Sequence, residues 1–417
     1  MTATIAPAAA LRMPSFKEFV AIIALMMGLT ALSIDNLLPA FPPIQAEFGI
    51  ADPNRLQLLV YVYMLGFGVM QLVYGPLSDT VGRRPVLLLG LSIYAAGCLL
   101  AAVAPSFEVL LAARVIQGVG VAAARVLAIA IVRDCYSGRE MARVMSLTFA
   151  VFIIVPVFAP AMGSATLLLG DWHILFVSML VLTLALGVWF WLRMPETLSP
   201  EHRLPLSPGP ILEGMRVTVT TRVAIGYSTA VGFMFACMMA YVGSAQQIFE
   251  TEVYGLGSYF PVAFGLIAGV MGLSSVLNSA LVRRLGMRRL SHGGLLAFVT
   301  LAGCQVLAAL AFDGRPPLLL FGAILAGSMF VAALTFSNFN AMAMEPLGAI
   351  AGTASSFMGF YTTLLGALLG GIVGQSFDGT VLPLGIGYVA FSTLSVLTVL
   401  WTEKGRLFQP QNPDPRP

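Results

Sequence analysis

Apolar stretches of roughly twenty residues alternate along the chain with short polar breaks. Windows long enough to cross about 30 Å of hydrocarbon as helices recur near 18–41, 55–75, 84–104, 107–132, 144–169, 173–192, 222–248, 258–282, 290–311, 317–343, 347–375 and 382–402. They are too long and alternate too little for barrel strands. The pattern therefore predicts an all-α membrane protein with twelve transmembrane helices. The first window runs into Asp35-Asn36-Leu37-Leu38-Pro39, which predicts a retained helix instead of a cleaved signal. The longest polar break, 194–221, holds Pro195, Pro200, Pro205, Pro208 and Pro210 among mixed charges. It divides the chain into a six-helix half at 1–193, a linker at 194–221, a second six-helix half at 222–403 and a tail at 404–417. Leu77-Ser78-Asp79-Thr80-Val81-Gly82 follows the second window, and Leu281-Val282-Arg283-Arg284-Leu285-Gly286 follows the eighth, 204 residues later. Two parallel six-helix halves are a recurrent transporter architecture.

Composition agrees with this pattern. Of 417 residues 58% are hydrophobic and 10% charged, against about 45–50% and about 25% in soluble domains. With both termini cytoplasmic, eighteen of the 22 Lys and Arg fall on the cytoplasmic side, as the positive-inside rule requires. Arg55 and Arg315 fall on the other side, and Arg114 and Arg125 fall inside helices. The expected location is a membrane, crossed several times. The basic residues form no single patch, so no nucleic-acid partner is expected. Cys98, Cys135, Cys237 and Cys304 are dispersed, and so are His173, His202 and His292. That spacing predicts neither a disulfide framework nor a metal site. There is no GxxxxGK[ST] segment and no intramembrane nucleophile–base set. The chain is not expected to be an enzyme, and no cofactor is expected.

Ionised groups inside a span are costly and mark function. Asp35 is the carboxylate in the interior of a span. By window boundaries it lies six or seven residues before the outer end of the first helix, and Arg114 about seven residues after the outer start of the fourth. At about 1.5 Å per residue the two share a depth, so an Asp35–Arg114 interaction is expected as the proton-coupling pair. Arg125, eleven residues on, shares Arg114's direction at a depth some 16 Å nearer the cytoplasm. It is read either as a feature for an anionic or carbonyl-rich substrate or as a gate residue. Asn36, Tyr61, Gln117, Tyr241, Asn338, Asn340 and Tyr361 are further candidates for a substrate cavity. Each alone is more often helix–helix glue.

Several segments carry a family resemblance. Gly75-Pro76-Leu77-Ser78-Asp79-Thr80-Val81-Gly82-Arg83-Arg84-Pro85 resembles the G-x-L-a-D-x-x-G-r-r loop of the major facilitator superfamily. Arg114-Val115-Ile116-Gln117-Gly118-Val119-Gly120 resembles its R-x-x-Q-G-x-G helix. Pro156-Val157-Phe158-Ala159-Pro160-Ala161-Met162-Gly163-Ser164 is similar to the drug-antiporter helix, with Ala159 and Ser164 in place of glycines. Ser33-Ile34-Asp35-Asn36-Leu37-Leu38-Pro39-Ala40-Phe41-Pro42, Ile131-Val132-Arg133-Asp134-Cys135-Tyr136 and Ala351-Gly352-Thr353-Ala354-Ser355-Ser356 resemble the bicyclomycin/chloramphenicol-resistance type. The resemblance implies the major facilitator fold. It implies a gating loop of Gly75, Asp79, Gly82, Arg83 and Arg84 with Asp134, and an antiporter helix bent at Pro156 and Pro160 and closely packed at Gly163. It implies efflux of small amphipathic drugs in exchange for protons by alternating access, with lipid, small molecules and protons as partners and a monomeric state. The competing expectation is a carrier, importing or exporting, for a specific metabolite, including an anionic one held by Arg125.

Overall fold

The computed structural model describes residues 13–203 and 208–409, apart from the side chains at 142, 149–153, 202, 208, 210 and 349. The first twelve residues, Pro205 of the linker and most of the 404–417 tail lie outside the described residues. Twelve long helices follow in order: α1 Phe16–Asp35, α2 Leu58–Val81, α3 Arg83–Ala102, α4 Phe107–Cys135, α5 Gly138–Leu167, α6 His173–Arg193, α7 Arg222–Gln246, α8 Phe260–Leu285, α9 Met287–Ala311, α10 Leu318–Met344, α11 Ala351–Gln375 and α12 Leu382–Thr402. There is no strand among the described residues. Eleven of these segments are long and apolar enough to cross a membrane by their described residues; in α5 the fully described apolar stretch, Ile154–Leu167, is shorter.

Local chemistry sets the helix ends. Ser106 caps α4 by accepting the Val109 N–H at 3.3 Å, and Ser15 caps α1 through Glu18 N–H. Gly82 separates α2 from α3 at φ +117°, and Gly286 separates α8 from α9 at φ +79°. The two glycines occupy equivalent places in the 204-residue repeat, and the left-handed backbone explains why both are glycine. The first window is corrected in one respect. α1 stops at Asp35 and is followed by a 3₁₀ turn, Leu38–Ala40, and a short helix, Phe41–Phe48. Pro39, Pro42 and Pro43 lack the N–H groups that would bond the carbonyls four residues earlier, so the helix must break there. Asp35 is thus the last residue of α1.

Within each half the same pairs pack: α2 and α3 on α4, α1 on α5 and α4, α3 on α6; then α8 and α9 on α10, α7 on α11 and α10, α9 on α12. The main packing between halves is α2 against α11 and α5 against α8. Following these neighbours gives a closed circuit, α1–α5–α8–α10–α7–α11–α2–α4 and back to α1. Eight helices therefore ring a central space, with α3, α6, α9 and α12 outside. The outer four expose Leu89, Leu99, Leu184, Trp191, Leu307 and Trp401 among other large apolar side chains, the arrangement that a lipid solvent favours. Between the halves, Pro208–Thr220 forms a further helix that lies on α11, with Gly214 against Thr353.

Candidate functional site: a helix break in the ring and its two ends

At the break after α1, Asp35 is 6% exposed and Asn36 4%. The Asn36 side-chain oxygen and the Thr30 hydroxyl are buried without hydrogen-bond partners. Helix α5 passes close enough that a Cβ on Gly163 would overlap the Asn36 carbonyl oxygen, and Gly28 of α1 lies against Val155. Prolines 156 and 160 sit inside α5, whose helix continues through them from Gly138 to Leu167. Gly163 is thus the residue that admits the broken segment. Ser33, one turn earlier on α1, pairs with Tyr94.

Arg114 does not join Asp35. It is fully buried and turned toward α2 and α3. Its Nε donates to Leu59 O at 3.0 Å and its Nη1 to Gln117 Oε1 at 2.7 Å. Its guanidinium lies 4.4 Å from the centre of the Tyr63 ring. Gln117 in turn donates to Cys98 Sγ at 3.1 Å. The expected Asp35–Arg114 pair is absent as an ion pair in this structure, because matched depth does not fix the direction in which α4 points. Gln117 is fully buried in the same cluster and lines no open space. Arg125, farther along α4, is half-buried.

The other half supplies mostly aromatic and amide groups. Phe235 of α7 meets Phe336 of α10, ring centres 6.1 Å apart, and packs on Gly366 of α11. It therefore lies in the gap between α10 and α11, on the side of α7 away from α12. Tyr361 is half-buried, bonded to Thr229 Oγ1 at 3.0 Å and stacked on Phe357. Asn338 is buried and donates to Asn278 of α8 at 2.9 Å. Asn340 is half-buried and donates to its own helix at Phe336 O. Tyr241 is buried and stacked on Phe264, with an unpartnered hydroxyl.

The ring differs at its two ends. At the α1–α2 end the halves are sewn together. Tyr61 donates to Met239 O at 3.3 Å or Gly370 O at 3.2 Å. It fits a glycine seat in which a Cβ on Gly243 or Gly374 would overlap its hydroxyl oxygen. Gln57 donates to Gln247 at 2.5 Å, Gln247 to Asn54 at 2.7 Å, and Asn54 to Phe377 O at 2.8 Å. Tyr61 is therefore a seam residue here and does not face the central space. None of Asn54, Gln57 and Gln247 was singled out by sequence, since polar residues near span ends carry no distinctive spacing.

At the opposite end lies the turn between α2 and α3. Arg83, 3% exposed, bonds Asp79 at 2.5 Å and Asp134 at 2.9 Å, and donates to Ser78 Oγ at 2.7 Å. Glu196, from the start of the linker, accepts the backbone N–H groups of Arg83 at 2.9 Å and Arg84 at 3.1 Å. Thr197 donates to Asp134 at 3.2 Å. Arg84 donates to Trp191 O at 2.5 Å. Gly75 lets α2 approach α11, where a Cβ would stand 2.8 Å from Ser356 Oγ. Sequence reading brought Asp79, Arg83 and Asp134 together but missed Glu196 and Thr197, which lay in a stretch read as mere linker.

The profile of the Major Facilitator Superfamily matches residues 23–404. An uncharacterized MFS-type transporter, YdgK, of Bacillus subtilis (strain 168) is 31% identical over 404 residues, covering 95% of this chain and 98% of that protein. A bicyclomycin resistance protein homolog of Haemophilus influenzae is 31% identical over 384 residues, 91% of this chain and 94% of that protein. Among solved structures, a D-xylose-proton symporter superposes with a TM-score of 0.72 at 16% identity, over 94% of this chain and 98% of that chain.

Proposed function

Since the chain belongs to the Major Facilitator Superfamily and is a membrane transporter, we propose that it exports small amphipathic drugs across the bacterial inner membrane in exchange for protons. Asp35 carries this reading. A proton-coupled exporter needs a protonatable group within the membrane, and Asp35 is a buried carboxylate at the end of α1, a helix of the ring. Unpartnered polar atoms of Thr30 and Asn36 lie in the same stretch of chain, which suits a site where water or a substrate group supplies the missing bonds. The relative named for bicyclomycin resistance favours a drug as cargo.

The basic face that holds the gating loop is the cytoplasmic side in this reading, and both termini lie there. The Tyr61 seam then closes the outer side, and the two halves rock about the central site to open it. Proton entry from outside neutralises Asp35 and releases drug, and drug binding from the cytoplasm favours loss of the proton inward. Arg114 acts here by fixing α4 against α2 and α3, next to the proton site but not paired with it. The test is transport in everted vesicles. Asp35→Asn should abolish proton-driven drug export with drug binding retained; full export by that variant would overturn the mechanism.

A second reading, a carrier for an anionic metabolite, is favoured by Arg125, a half-buried guanidinium on a ring helix. Arg125→Gln that left the charge preference of transported substrates unchanged would remove its support.

A further inference from the structure

The end of the second half that corresponds to the gating loop has lost that loop's chemistry. Position 283, the counterpart of Asp79 in the 204-residue repeat, is an arginine, so the carboxylate that pairs Arg83 in the first half has no equivalent on α8. The counter-charge comes from elsewhere. Glu403, one residue beyond α12 and 3% exposed, accepts from Arg288 Nε at 2.8 Å. It also accepts from the Tyr227 hydroxyl of α7 at 2.5 Å. Tyr227 is 3.1 Å from His292 Nε2 of α9. On the other side of the ring, His292 Nδ1 accepts the backbone N–H of Phe408 at 3.1 Å.

These bonds have one consistent direction. A backbone N–H can only donate, so Nδ1 of His292 is an acceptor and its proton sits on Nε2. Nε2–H therefore donates to the Tyr227 oxygen, and the Tyr227 proton goes to Glu403. The chain runs Phe408 to His292 to Tyr227 to Glu403 without a conflict, and it joins the C-terminal segment, α9, α7 and the end of α12. The segment is bent to reach it. Lys404 and Phe408 have φ of +55° and +66°, left-handed conformations that non-glycine residues adopt only at a cost. The Phe408 ring sits edge-on to His292, centres 5.8 Å apart.

We propose that this chain is a clasp, the second half's own lock at the basic face. It holds the C-terminal segment on α9, ties α7 to α9 and α12, and sets the rate at which this half changes conformation. The statement about rate rests on the transport reading above; the docking of the segment does not.

Two measurements test it. Spin labels on Arg289→Cys and Gln409→Cys, with Cys135 and Cys304 replaced by serine, report the distance between α9 and the tail in nanodiscs without substrate. The expected wild-type distribution is short and narrow. His292→Phe, which cannot accept the Phe408 N–H, should lengthen and broaden it. Tyr227→Phe should do the same in part, and serves if His292→Phe does not fold. Phe408→Gly keeps the N–H and the positive φ and should stay docked. An unchanged distribution in both His292→Phe and Tyr227→Phe overturns the clasp. So does undocking by Phe408→Gly alone, which would assign the hold to the ring. In vesicle transport, His292→Phe should change the maximal rate at least about threefold with KM unchanged, the signature of a step after binding. A change in KM alone would overturn the claim about rate while leaving the docking result intact.

Discussion

The carboxylate of Glu196 accepts the backbone N–H of Arg83 at 2.9 Å and that of Arg84 at 3.1 Å. A residue from the segment between the halves thus caps the first turn of α3 and meets the loop that Arg83 ties to Asp79 and Asp134. Negative charge at a helix N-terminus is favourable, and two otherwise unpaired donors are satisfied at once. Glu196→Ala should lower thermal stability by about 0.5–2 kcal/mol, the usual value of an N-cap, and slow transport. Gly82→Ala should be worse, because its Cβ would meet Glu196 Oε2 at 2.5 Å at a φ of +117°. Thermal midpoints of the purified variants rank the two.

Tyr61 is the centre of the opposite seam. Tyr61→Phe removes its hydroxyl from Met239 O and Gly370 O, a loss of about 0.5–1.5 kcal/mol. The closed arrangement should become less populated by a factor of roughly 2 to 13. Disulfide formation between Asn54→Cys and Phe377→Cys reports closure, and should slow in Tyr61→Phe. Gly243→Ala should slow it further, since its Cβ would overlap the Tyr61 hydroxyl oxygen where that group now sits.

Arg114 is fully buried, with two acceptors and one aromatic face. Gln117→Leu deletes one acceptor and leaves a buried charge short of a bond, at about 1–3 kcal/mol. Arg114→Lys keeps the charge but cannot reach Leu59 O and Gln117 while covering the Tyr63 ring. Both variants should unfold at lower temperature than the parent. A rise in thermal midpoint for either would show that the cluster is not stabilising.

Gly163 admits the Asn36 carbonyl, so Gly163→Val should separate α5 from the break after α1. Overpacking of this kind costs about 1–3 kcal/mol, and it displaces Asp35 at the same time. The expected outcome is a protein that inserts, unfolds earlier and loses drug-dependent proton release. Normal proton release would mean that the break is not part of the coupling site.

Much of the fold is legible because lipid demands it: windows near twenty residues set the helices. Gly82 and Gly286 mark the repeat, since each turn needs a left-handed residue at the same place. The direction of Arg114 was not read from its depth. A signal was nevertheless present. Arg114 and Gly118 are four residues apart and share a face of α4, and a Cβ on Gly118 would overlap Tyr63 O. A glycine that marks close packing also says that its neighbour on that face is packed. Glu196 and Thr197 were illegible for a different reason. They act through a turn of the chain that brings a polar stretch back onto the start of α3, and no periodicity encodes such a return. The Tyr61 seat depends on Gly243, Gly370 and Gly374 from two other helices, a match visible only in three dimensions.

The eight-helix circuit has a mechanical consequence. Of its eight helix pairs, six lie within one half and two, α2 with α11 and α5 with α8, lie between halves. A closed hoop made this way can flex like a purse with two hinges while its six other joints stay fixed. Damage at a fixed joint should appear as lost protein, and damage at a hinge as altered turnover in protein that is still abundant. Abundance and activity, measured separately across a mutational scan, would then trace the two hinge lines directly onto the sequence.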